Sequence, residues 1–253
     1  MPVTGGLYYS EHKGGQGQRT VVLLHGAGSS HLVWPPLMRR HPGCTILALD
    51  LPGHGRSGGA GCRSAAGYAA RVLDFLAEKR AFQVALVGHS LGGAVALQLA
   101  LEHPHLVRGL GLISTGARLG LPPALRQALE APHALPDALQ AFTRLAFSPH
   151  TPATQREQWM QPLRRAHPTV LLGDWQAAAD FDARARMLPL DVPAWVAAGA
   201  DDRLTPPAYA TFLAAFLPRA VMQLVPRAGH FLPLEQPAAL SEGFSAFLAR
   251  LTS

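Results

Sequence analysis

Apolar residues along this chain gather into short continuous runs. Thr20–Leu24, Thr45–Leu49, Gln83–Val87, Val107–Ile113, Val192–Ala198 and Ala220–Val225 each stop at a glycine, a proline or a polar residue. Apolar runs without strict alternation are the mark of strands buried on both faces. Between them, Ala65–Lys79, Leu91–Glu102 and Pro237–Leu251 carry helical spacing. Strand–helix alternation of this kind predicts an α/β fold with a mostly parallel sheet covered on both sides. Tyr8-Tyr9 followed by the loop Gly14–Gly17 predicts a leading hairpin.

Residues 117–188 break the rhythm. Eight prolines fall among helical stretches, and Leu135–Leu145, Ala153–Arg165 and Val170–Ala179 each fit a short amphipathic helix. The expectation is a helical insertion, a lid, on a core made of residues 1–116 and 189–253. Its aromatics, Phe142, Phe147, Trp159 and Trp175, either pack the insertion or meet substrate, and are carried forward as candidate substrate-binding residues. Arg118, Arg126 and Arg144 are candidates for meeting a carboxylate. The aromatics and the lack of clustered charge suggest an apolar acyl or alcohol group of modest size.

Composition narrows this picture little. The chain has 253 residues, 48% of them apolar, enough for one large domain without a disulfide or metal staple. A net charge of +6 invites a nucleic-acid reading. The arginines, however, never cluster beyond pairs such as Arg39-Arg40 and Arg164-Arg165, so no nucleic-acid partner is expected. Cys44 and Cys62 make no disulfide framework. The N-terminus does not read as a signal peptide, and no run of eighteen apolar residues exists. The expectation is a cytoplasmic protein, off the membrane, monomeric or homodimeric, that needs no metal or organic cofactor.

Gly-x-Ser-x-Gly occurs twice, around Ser90 and around Ser57. The motif works only on a sharp strand-to-helix turn that lifts the hydroxyl above the sheet. Ser90 follows QVALV and opens a helical run, whereas Ser57 follows a loop and precedes more glycine. Gly88 and Gly92 remove side chains where strand and helix crowd. Ser90 is therefore the candidate nucleophile, and it needs a base. Catalytic groups on such a sheet lie beyond the carboxyl ends of the strands. The order nucleophile, acid, histidine selects His230, just after the last strand. The preceding strand ends in Gly199-Ala200-Asp201-Asp202, which offers two adjacent aspartates, of which one can orient the histidine. An oxyanion needs two backbone N–H donors. Leu91 supplies one, and the loop His25-Gly26-Ala27-Gly28 the other, from Ala27 or alternatively Gly28.

With these segments in order, the chain resembles an α/β-hydrolase fold enzyme over essentially its whole length. The matching residues are His25-Gly26-Ala27-Gly28, Asp50–Ser57, Gly88–Gly93, Gly199–Pro206 and Gly229-His230. The resemblance implies a doubly wound sheet of about eight strands with a helical cap after the sixth. It also implies that Asp202 is the acid and that His54 and Ser57 are structural. It further implies a serine hydrolase acting on a small ester-like substrate through an acyl-enzyme. Lactone, thioester or amide cleavage, acyl transfer, perhydrolysis and cofactor-free lyase chemistry use the same groups. A ligand-binding module on this fold is the non-enzymatic alternative.

Overall fold

A computed structural model describes residues 3–14, 19–187 and 190–251. The described residues form an eight-stranded sheet in the order β1-β2-β4-β3-β5-β6-β7-β8. The strands are β1 (Val3–Thr4), β2 (Leu7–His12), β3 (Thr20–Leu24), β4 (Thr45–Leu49), β5 (Val84–His89), β6 (Val107–Ile113), β7 (Ala194–Gly199) and β8 (Ala220–Val225). β3 to β8 are parallel, and β2 joins β4 antiparallel.

Helices cover both faces. They are α1 (Pro36–Arg39), α2 (Ala65–Glu78), α3 (Leu91–Glu102), α4 (Pro123–Glu130), α5 (Leu135–Ala146), α6 (Ala153–Arg165), α7 (Pro168–Asp180), α8 (Pro207–Phe216), α9 (Leu232–Glu235) and α10 (Pro237–Ala249). Val22 and Leu24 of β3 pack with α2, α3 and α8, whereas Val21 and Leu23 pack with α1 and α10. One strand thus feeds two cores, because successive side chains point to opposite faces. α3 runs under the sheet's centre and is buried from Leu91 to Ala100. Every side of this helix therefore needs to be apolar or small.

The expected leading hairpin is corrected. β2 turns back on β1 through Gly5 and Gly6, both with positive φ, and its other neighbour is β4, not β3. Of the loop Gly14–Gly17, residues 15–17 lie outside the described residues. The helical segment after β6 holds α4 to α7 and its own apolar cluster, which includes Met160, Leu163 and Leu171. Its ends are tied together: Ala183 N–H donates to Ala117 C=O, and Leu119 N–H to Phe181 C=O. The expected boundary between residues 188 and 189 falls outside the described residues. Among the described residues no helix is long and apolar enough to cross a membrane.

Candidate active site

β5 passes into α3 at Ser90, whose φ of 54° and ψ of −120° are strained for an L-residue. Such a backbone costs about 1–3 kcal/mol and persists only where its surroundings enforce it. Here they do. A Cβ on Gly92 would collide with the carbonyl oxygens of Leu24 and His25, and one on Gly88 with the carbonyl of Gly92. Ser90 N–H donates to Ile113 C=O, and the Thr115 hydroxyl donates to Ser90 C=O. The strain is thus held by β3, β5 and β6 together.

The Ser90 hydroxyl lies 2.8 Å from His230 Nε2, and His230 Nδ1 lies 3.0 Å from Asp202 Oδ2. The carboxylate keeps the proton on Nδ1 and leaves Nε2 free to accept from the serine. Asp202 is buried, and it also accepts from Leu204 N–H, Thr205 N–H and the Thr205 hydroxyl. Thr205 Oγ1 lies 3.1 Å from His230 Nδ1 as well, so one hydroxyl serves both partners. Sequence reasoning missed Thr205; its position three residues after Asp202 was the available signal. Asp201 faces elsewhere and accepts from the Ser148 hydroxyl. His230 N–H donates to Ala146 C=O, which ties this loop to the end of α5.

Ala27 and Leu91 line the cleft beside Ser90, and neither N–H meets an acceptor among the described residues. The Gly28 N–H is already taken, donating to Asp174 Oδ2. Leu119, Leu121, Leu125, Phe142 and Trp175 form most of the apolar wall. Two of the four candidate substrate-binding aromatics are therefore corrected. Phe147 stacks on Phe231 at 5.0 Å and meets Trp159 at 6.2 Å, so both pack the helical segment and neither lines the cleft. Arg118, Arg126 and Arg144 are exposed and outside it. Among the described residues no group of three or more His, Cys, Asp or Glu is placed to hold a metal ion.

The other histidines near the site are structural. Leu51 N–H donates to His25 Nε2 while His25 Nδ1 donates to Gly26 C=O. His89 Nε2 donates to His230 C=O. Burial, then the neighbouring His54 for His25 and His230 for His89, pushes both down to about 3. Ser57 is not a free loop serine: it donates to Asp50 C=O and accepts from Tyr8 N–H. His54 directs Nδ1 at Pro52 C=O and Nε2 at Asp174 Oδ2. Both ring nitrogens therefore face acceptors. Burial opposes its charge, but Asp174 outweighs that and holds its pKa above the ordinary value.

The model of the alpha/beta hydrolase family matches residues 21–242. The chain is 30% identical over 254 residues to the pimeloyl-(acyl-carrier protein) methyl ester esterase of Serratia marcescens, covering 93% of this chain and 96% of that one. It is 30% identical over 271 residues to a Variovorax paradoxus protein named as a carbamate hydrolase, covering 98% and 97%. A solved esterase structure from Thermogutta terrifontis superposes with a TM-score of 0.86 over 98% of this chain and 94% of that one. At 22% identity, that likeness is one of fold.

The neutral, buried His89 makes the protein acid-sensitive. Unfolded, it takes a proton near pH 6.5; folded, it refuses one until about pH 3. Its contribution is therefore complete above pH 6.5 and is lost as the pH falls toward 3. Against a His89→Gln variant, wild-type stability should fall faster on acidification, by about 1.4 kcal/mol per pH unit between roughly pH 6 and 4. Urea midpoints across that range measure it. Parallel curves would mean that His89 accepts a proton in the folded state.

Proposed function

The chain belongs to the alpha/beta hydrolase family, and we propose that it hydrolyses carboxylic esters of uncharged, fairly apolar acids through an acyl-enzyme on Ser90. The observation that carries this reading is the continuous relay from the Ser90 hydroxyl through His230 to Asp202, beside the unpaired N–H groups of Ala27 and Leu91. Ser90 Oγ attacks the ester carbonyl while its proton moves to His230 Nε2. Asp202 stabilises the imidazolium so formed, and the Ala27 and Leu91 N–H groups hold the oxyanion. Collapse expels the alcohol, which takes the proton back from His230. Water then repeats the sequence on the acyl-enzyme.

Substrate class follows from the wall. Leu119, Leu121, Leu125, Phe142 and Trp175 offer apolar surface, and among the described residues no arginine, lysine or carboxylate lines the cleft. A charged acyl end would lose its hydration there without a partner. A neutral acyl chain of modest size on a small alcohol is the best fit. A methyl ester, the bond in the Serratia marcescens relative's name, falls within that class. The segment 117–188 is read as a cap whose inner face selects the acyl chain.

In a chain-length series of p-nitrophenyl and methyl esters, run beside lactones and thioesters, Ser90→Ala should lose on the order of 10⁶ in kcat, and Ser57→Ala should not. Asp202→Asn should lose roughly 10²–10⁴ through the wrong histidine tautomer, and Asp201→Asn about tenfold or less. Crippling by Asp201→Asn alone would shift the acid by one residue.

Ala27→Pro tests the oxyanion donor. Ser29 N–H closes on Gly26 C=O, and Gly28 has a φ of 61° while Ala27 has none above zero. That is a type II turn with Ala27 second, where proline is favoured. The substitution therefore deletes the N–H while suiting the turn. A loss of about 10²–10³ in kcat, with the melting temperature retained, is expected; unchanged kcat would remove Ala27 from the role.

Phe142→Ala should move the preferred acyl length, because this ring lies in the cleft wall. Trp159→Ala should leave it in place, because that ring packs on Phe147. The same ester series reads both.

A further inference from the structure

Asp174 lies in the middle of α7, is fully buried, and makes no contact with Ser90, His230 or Asp202 among its hydrogen bonds. Its carboxylate nevertheless gathers three groups from the sheet domain. Oδ2 accepts from Gly28 N–H at 2.9 Å and from His54 Nε2 at 2.8 Å; Oδ1 accepts from the Tyr68 hydroxyl. A buried carboxylate is costly unless it is paired and fully bonded. A packing role alone would be met by a leucine, so this arrangement needs a reason.

The reason lies in Gly28. It is the third residue of the Gly26–Ser29 turn, and its left-handed backbone turns the Ala27–Gly28 peptide so that the N–H points at α7. A Cβ on Gly28 would press on Leu163 of α6 and Leu171 of α7. Released at Gly28, the turn would be free to tilt as a unit, and the preceding Gly26–Ala27 peptide that carries the Ala27 N–H would tilt with it. The Asp174 carboxylate holds it, with His54 and Tyr68 holding the carboxylate in turn. Ala27, one residue earlier, is the assigned oxyanion donor.

We propose that Asp174 is a positioning residue for the reaction: from the helical segment it fixes the turn that presents the Ala27 N–H to the oxyanion. This rests on the esterase reading above. It gives the helical segment a part in transition-state stabilisation besides access. The observation is specific to this carboxylate, because neither of its oxygens reaches the cleft wall and each is used on the sheet domain.

The test is Asp174→Asn, with Tyr68→Phe as the milder variant that keeps the carboxylate but loosens it. Three quantities are read on folded protein well below its melting temperature: kcat/KM for the best ester, Ki for an alkyl trifluoromethyl ketone, and Ki for the matching secondary alcohol. Ser90 Oγ adds to the ketone carbon, its proton passes to His230, and the carbonyl oxygen becomes an oxyanion in the same hole. The alcohol fills the same wall without forming that charge. Asp174→Asn should lower kcat/KM at least about tenfold, because removing one such donor outright costs about 10²–10³. The trifluoromethyl ketone Ki should rise by the same factor, and the alcohol Ki should stay within about twofold. Tyr68→Phe should move the first two in the same direction by a smaller factor, and it carries the test if Asp174→Asn does not fold.

Unchanged kinetics in the folded variants, with only a lower melting temperature, would make Asp174 purely structural. A fall in kcat/KM without a matching rise in the ketone Ki, or with an equal rise in the alcohol Ki, would also overturn the proposal. Ser90→Ala and Ala27→Pro report on the reading beneath it. If those two lose turnover as expected and Asp174→Asn leaves kcat/KM unchanged, only the positioning role fails. If Ser90→Ala keeps turnover, the esterase reading itself fails.

Discussion

The first turn of α3 rests on the carbonyl ends of β3, with only a hydrogen where Gly92 meets the oxygens of Leu24 and His25. Around this approach the rest of the site is arranged. Because the two backbones touch, the chain must reverse within one residue, and Ser90 takes up the strained conformation that results. The same contact sets Leu91, the first helical residue, with its N–H unpaired as helix starts require. It also brings the loop after β3, which carries Ala27, level with the serine. Ser90 and the N–H groups of Ala27 and Leu91, the proposed nucleophile and oxyanion donors, are thus positioned by one close contact between two pieces of backbone.

Parallel strands place all their carboxyl ends along one edge, so four loops converge there and bury polar atoms together. That burial has to be satisfied group by group. Asp202 does so with four donors, which keeps it an acceptor facing His230. His25 does so with both ring nitrogens bonded, whereas His89 gives its Nε2–H to a backbone carbonyl and leaves Nδ1 without a partner. His54 takes the opposite course: both nitrogens face acceptors, and it pairs with Asp174. The buried histidines near this edge are thus held by different partners, backbone groups for His25 and His89 and a carboxylate for His54.

The parts of this arrangement that depend on local chain were legible in the sequence. β3, β4, β6, β8, α3 and α6 run over the residues where the apolar runs and helical spacing stand. Ser90 was separable from Ser57 because only one copy of the motif sits between a strand pattern and a helix pattern. What was not legible depends on contacts distant in sequence. Phe147 and Trp159 stand in the same helical segment as Phe142 and Trp175, and only the stacking of Phe147 on Phe231 and of Trp159 against Phe147 turns them away from the cleft. Asp174 reads as one polar residue in an apolar helix, and its partners lie 106 to 146 residues away. The leading hairpin failed for a related reason: β4, not β3, was the partner with room on its edge.

The helical segment over the cleft is bonded to the loops that carry Ala27, Asp202 and His230. Asp174 takes Gly28 N–H from the oxyanion loop, Ser148 gives its hydroxyl to Asp201 in the acid loop, and Ala146 C=O takes His230 N–H. Glu235 ties Ser148 N–H to Gly229 N–H on the way. Lifting the segment as a rigid flap would break all of these bonds at once, at a net cost of about 0.5–1.5 kcal/mol each. Shifting side chains of the cleft wall, such as Leu119, Leu121 and Phe142, breaks none of them. Local rearrangement of that apolar wall is therefore the less costly way to open the cleft, and the polar ties beside it keep the three loops in register while it happens.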